Sequence, residues 1–336
     1  MNSAAILLAA AMAIPAPAQT PPAPRTLEVP ADRGWGHART GVVMPLNLAG
    51  LRRGPILDAT EAELDISSRY AVADGSLVAT FYVFRPGLQA TALWFDRAAA
   101  TMALNPRFGI PAEVALPVPM PFAPVEGGPE TGLRMVAAAD GREFTSTGLA
   151  VARVGDFLVK VRITARRLPP EALDAKLTEV LRAIGWPSIA KPATAIRPME
   201  ECKAPLKLRK AKAVRDDLAQ VLVSAMLPLA VKGETGVEPA YCREPGARAP
   251  WQVYRLDGST KSYVVGFGDS GTALSLAPTL GLPGLGSSGD AAVSMTLLQH
   301  ETASVMASFN RLPPPEQAVS TAFGGKGRIR VSISSQ

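Results

Sequence analysis

Between Phe157 and Pro187 the apolar period switches from two residues to about three and a half, and few folds tolerate that switch. Phe157, Val159, Val161 and Ile163 alternate with Lys160, Arg162 and Thr164. That pattern predicts a strand over 157–166, with one face on a core and the other in solvent. Leu173, Leu177, Val180, Leu181 and Ile184 then form a single helical stripe. Pro169-Pro170 suits its first turn, Glu171 and Asp174 the positive end of its dipole, and Arg182 the last turn. Gly185 fits a left-handed cap, and Pro187 prevents continuation. A strand feeding such a helix requires a sheet for the helix to lie on.

Similar signals divide the rest of the chain. Strands are predicted at 77–84, 132–139 and 144–153, with a helix at 90–104. A Pro- and Gly-rich stretch at 108–132 reads as an ordered loop or flap. The three prolines of 186–200 mark a boundary, with the linker itself at 188–200. Beyond it, Val214, Leu218, Val221, Leu222 and Ala225 repeat the helical stripe. Strands are predicted at 251–256, 261–268, 272–276, 292–299, 302–309 and 328–335, with a helix as the alternative over 292–309 and a short helix after Pro313. The fold class expected is therefore α+β, in two domains at 31–187 and 201–336, each a mainly antiparallel sheet packed with helices. Arg167-Leu168-Pro169-Pro170-Glu171 is echoed by Arg311-Leu312-Pro313-Pro314-Pro315-Glu316. Double proline as a helix starter explains that echo as well as a duplication does.

The run from Phe144 to Trp186 is a strand, a turn at Gly155-Asp156, a basic alternating strand and a Pro-capped helix. In pattern it resembles the closing segment of PsbP-like α/β/α sandwich proteins. That resemblance implies an antiparallel sheet covered by helices on both faces, and a role in binding or scaffolding. It carries no functional residues onto this chain.

Export is expected from the N-terminus. Ala4 to Ile14 is unbroken apolar sequence, too short to span a bilayer, and Ala16-Pro17-Ala18 offers small residues for cleavage. Residues 1–18 thus read as a signal peptide and 19–30 as a Pro-rich spacer, giving a periplasmic or secreted protein that is not membrane-spanning. Cys202 and Cys242 are the only cysteines, and in an oxidising compartment they are expected to pair.

The net charge of +6 belongs mainly to the C-terminal part. Lys203, Lys207, Arg209, Lys210, Lys212 and Arg215 fall within 13 residues that hold no acid, and Lys326, Arg328 and Arg330 form a second cluster. Such runs attract anionic envelope components or protein partners; equally, they can be plain solvated faces. Nucleic acid is not expected as a partner, since aromatics make up 6 % of the chain and no binding motif is present.

Two motifs invite enzymatic readings. Gly268-Asp269-Ser270-Gly271 copies the turn around a trypsin-like nucleophile, with His37 upstream and Asp65 as a conceivable third member. A hairpin turn accounts for the same four residues. Gly284-Leu285-Gly286-Ser287-Ser288-Gly289 satisfies a dinucleotide fingerprint, yet no acid lies about 20 residues on, so a loop is expected. His37 and His300, the only histidines, form no local ligand motif, and His300-Glu301 reads as a turn. No cofactor or metal is expected. The reading is an exported, non-enzymatic binding or scaffolding protein, the alternative being a serine hydrolase using Ser270.

Overall fold

The computed structural model describes residues 23–30, 32–110, 115–140, 143–188, 195–214, 238–246, 250–279, 292–324 and 331–334. In chain order the elements are β1 (Arg25–Leu27), β2 (Trp35–Gly36), β3 (Val43–Met44), β4 (Asn47–Leu48), β5 (Leu51–Asp58), β6 (Asp65–Ala71), β7 (Leu77–Phe84), α1 (Thr91–Ala103), β8 (Met120–Phe122), β9 (Gly132–Ala138), β10 (Ser146–Val154), β11 (Phe157–Ala165) and α2 (Pro170–Ala183). There follow β12 (Glu200–Glu201), β13 (Ala213–Val214), β14 (Tyr241–Arg243), β15 (Trp251–Leu256), β16 (Tyr263–Phe267), β17 (Thr272–Pro278), β18 (Val293–Gln299), β19 (Thr302–Phe309), α3 (Pro315–Phe323) and β20 (Val331–Ser334).

Two nine-stranded sheets dominate. The first runs β1-β5-β6-β7-β11-β10-β9-β8, with β4 also on β5. The second runs β12-β14-β15-β16-β17-β18-β19-β13, with β20 also on β19. Every pairing is antiparallel except β12 with β14. A small β2–β3 pair completes the set.

This corrects the α+β expectation. Among the described residues 40 % lie in strands and 14 % in three short helices, so the protein is mainly antiparallel β and not two helix-packed α+β domains. Part of the difference is local to the first sheet. Strand β5 is obscured in the sequence by Gly54-Pro55, which looks like a breaker; a register shift between Arg53 and Ile56 absorbs the proline. Of the helix expected over 214–225 only Val214 is described, and it lies in β13; 215–225 lie outside the described residues.

The three helices and the two sheets alternate in layers. Helix α2 covers one face of the first sheet, where Leu173, Leu177 and Val180 pack on Phe81, Val83, Val159 and Val161. Its end needs no left-handed cap. Instead Gly185 exchanges backbone hydrogen bonds with Val43, and a Cβ there would sit 2.6 Å from Val43 Cβ. Helix α1 fills the space between the sheets. Leu93, Trp94 and Met102 share one core with Leu133, Leu149 and Leu158 of the first sheet and with Tyr254, Val264, Ala273 and Leu298 of the second. Helix α3 and the extended segment 203–212 cover the far face of the second sheet, over Tyr263, Val265, Leu274 and Leu276.

Candidate functional site

The polar face of β11 is largely covered rather than open to solvent. Lys160 is 4 % exposed, because the β16–β17 turn of the second sheet docks against it. Asp269 in that turn places Oδ2 2.8 Å from Lys160 Nζ and 2.6 Å from Arg162 Nη2. The lysine ammonium also lies over the Tyr82 and Phe84 rings, at 4.4 and 5.1 Å from their centroids. Burial lowers the Lys160 pKa; Asp269 opposes that shift and Arg162 adds to it. Burial would raise the pKa of Asp269, but Lys160, Arg162 and Arg97 outweigh it and hold the carboxyl below its ordinary value. Asp65 shares the cluster, and burial keeps its pKa raised despite the pull of His300 and Lys160.

The Gly-Asp-Ser-Gly motif is thus the tip of a docked hairpin. Gly271 has φ +93°, and a Cβ on it would lie 2.6 Å from Pro86 Cα; its carbonyl accepts the Gly87 N–H at 2.9 Å. Arg97 of α1 donates to the Gly268 and Pro250 carbonyls, both at 3.0 Å. Ser270 is exposed, and no hydrogen bond joins it to a histidine. His37 is buried, with Nδ1 2.9 Å from Thr40 Oγ1 and Nε2 2.9 Å from the Glu63 carbonyl, its ring edge-on to Phe157. His300 turns the β18–β19 hairpin at φ +45° and sets Nδ1 3.1 Å from the Arg85 carbonyl.

The same seam holds further pairs of consistent sign. Glu301 bonds Arg39 and Arg85, and Glu238 lies 3.6 Å from Arg153. Glu238 also accepts the Thr91 N–H at 2.8 Å, so the first turn of α1 is capped from the second half of the chain. One pair runs the other way: Asp96 of α1 bonds Arg243 and takes the Tyr254 hydroxyl at 2.7 Å.

No protein-family model, no curated protein and no solved structure matches the chain. Its chemistry has to be read from its own residues.

The basic segment lies on the surface of the second sheet. Lys203, Lys207, Arg209, Lys210 and Lys212 are all exposed, while Leu206, Leu208 and Ala211 turn inward onto the second sheet's core. The strap crosses from the β14 edge to the β19 edge, and its backbone is held from beneath by side chains. A disulfide joins Cys202 to Cys242 of β14, with Cα atoms 4.9 Å apart. Glu244, buried and ion-paired with Arg255, accepts the Leu206 N–H at 3.0 Å, and Arg255 donates to the Ala204 carbonyl. Gln317 of α3 grips Ala211 on both sides, accepting its N–H at 3.0 Å and donating to its carbonyl at 2.7 Å. Asn310 exchanges two bonds with the Lys212 backbone, at 3.0 and 3.1 Å. None of the five cations pairs with an acid among the described residues.

Several expected features fall outside the described residues: the signal peptide at 1–18, Arg215, the glycine run at 284–289, and Lys326, Arg328 and Arg330. Among the described residues no three His, Cys, Asp or Glu gather as a metal site, and no helix is long and apolar enough to cross a membrane. Charge clustering alone pointed to the strap; its buttresses Glu244, Arg255, Asn310 and Gln317 left no sequence signal. Alternation of Leu206 and Leu208 with Lys207 and Arg209 could have shown that the segment is extended.

Proposed function

We propose that the protein is an exported, non-enzymatic binding protein, cleaved after Ala18, that engages an anionic envelope component through the strap at 203–212. One observation carries this reading. Five exposed cations have no acidic partner among the described residues and project from a backbone fixed by a disulfide and four buttressing side chains. The same backbone covers the second sheet's core through Leu206, Leu208 and Ala211, and a segment fixed beforehand lowers the ordering cost of binding. An intramolecular disulfide fits an oxidising compartment. The charged groups of the seam are engaged in joining the two sheets, so they do not compete as a site.

Co-sedimentation with isolated envelope fractions tests the proposal. Wild-type protein should sediment with them and be released by salt. A variant carrying Lys207→Gln, Arg209→Gln, Lys210→Gln and Lys212→Gln should stay in the supernatant. Equal sedimentation of the two proteins would remove the strap from the account.

A further inference from the structure

The arrangement of the strap's charges goes further than their number, and we infer from it that the partner is a linear polyanion, a chain bearing phosphate, sulfate or carboxylate groups along its length. This inference rests on the anionic-partner reading above. An extended backbone advances about 3.3 Å per residue, so Lys203 to Lys212 spans at most ~30 Å. Lys207 and Arg209, and again Lys210 and Lys212, stand two residues apart, about 7 Å along the chain. The cations therefore follow one another along a single strap, with Arg209 and Lys210 adjacent.

Carboxylates stand near its two ends. Glu200 and Glu201 are exposed just before the strap, with Glu201 paired to Arg243, and Glu316 is exposed on α3, next to the Gln317 that holds Ala211. A flat anionic bilayer laid on this face would meet those carboxylates. A single polyanion chain following the strap would lie on the cations from one end to the other. Four of the five cations are lysines, which act as point charges and do not select one anion geometry, so length and charge spacing set the recognition. Each added anionic group on a bound chain meets the next cation at high effective concentration.

Graded linear polyphosphates serve as probes in a titration of the full mature chain, with anionic and neutral phospholipid vesicles in parallel. Affinity should climb with chain length until the polymer spans ~30 Å and then level off, leaving triphosphate at least about tenfold weaker than the plateau. Gln317→Ala keeps every cation but frees Ala211, so it should blunt the length dependence while Lys207→Gln, Arg209→Gln, Lys210→Gln and Lys212→Gln together leave only weak residual binding. Tighter binding to anionic vesicles than to long polyphosphate would overturn the linear partner and leave the anionic-partner reading standing. Undiminished polyphosphate binding by the quadruple variant, or binding of neither probe by wild type, would overturn both.

Discussion

Asp269 Oδ2 lies 2.8 Å from the Nζ of Lys160, a residue 109 positions earlier in the chain. That contact joins the two sheets. With Arg162 on the same oxygen, one carboxylate compensates two cations that the docked hairpin has taken from solvent. Removing one partner of a buried pair strands the other charges, which costs more than the pair itself contributes. Asp269→Asn should therefore lower unfolding stability at neutral pH by about 3 kcal/mol, read by urea denaturation. Because the folded pKa of Asp269 is depressed, its contribution is complete above about pH 3.9 and is lost as pH falls through the folded value. The gap between variant and wild type should close in acid. A loss below about 0.5 kcal/mol at neutral pH would mean that the clamp is incidental.

Asp65 should behave in the opposite sense. Burial raises its folded pKa, so stability falls as pH rises from about 3.9 through that folded value. Asp65→Asn should match wild type near pH 3 and be the more stable protein at pH 7. A variant less stable than wild type at pH 7 would show that the carboxylate is needed in its charged form.

Thiol titration of native protein should find no free cysteine. The bridge closes a separation of 40 residues, which in the chain-entropy model is an upper figure of about 4 kcal/mol. Reduction should lower the melting temperature and expose the strap to trypsin after Lys207, Arg209 and Lys210, ahead of sites in the first sheet. Simultaneous cleavage in both sheets would mean that the disulfide does not anchor the strap.

Ser270→Ala should leave stability and envelope sedimentation unchanged, and a fluorophosphonate probe should not label the folded, oxidised protein, since only an activated serine reacts. Stoichiometric labelling at Ser270 would restore the hydrolase reading.

What was legible in the sequence followed local periodicity. Strand β7 and helix α2 came from apolar spacing, the disulfide from cysteine count and compartment, and the hairpin at Gly268-Gly271 from turn chemistry. The polar face of β11 is covered around Lys160 although its pattern predicts solvent, because an alternating Lys-Arg pattern is the same whether water or a distant carboxylate meets it. Helix α1 did carry a signal. Ala90 to Ala103 is apolar almost all round, the mark of a helix covered on several sides. Its role between the sheets escaped notice because its partners Tyr254, Val264 and Leu298 lie more than 150 residues later. Separations of 106 and 98 residues likewise hide Gln317 and Asn310 beneath the strap.

The most direct test of the strap is the salt dependence of binding to a long linear polyphosphate. A flexible single-chain polyanion releases about 0.7 counterion per neutralised charge, so five cations give a slope of log K on log salt near −3.5. Wild type should show that slope, and the variant lacking Lys207, Arg209, Lys210 and Lys212 charges should retain one no steeper than about −1. Equal slopes for the two proteins would contradict the claim that the strap is where the anionic partner binds.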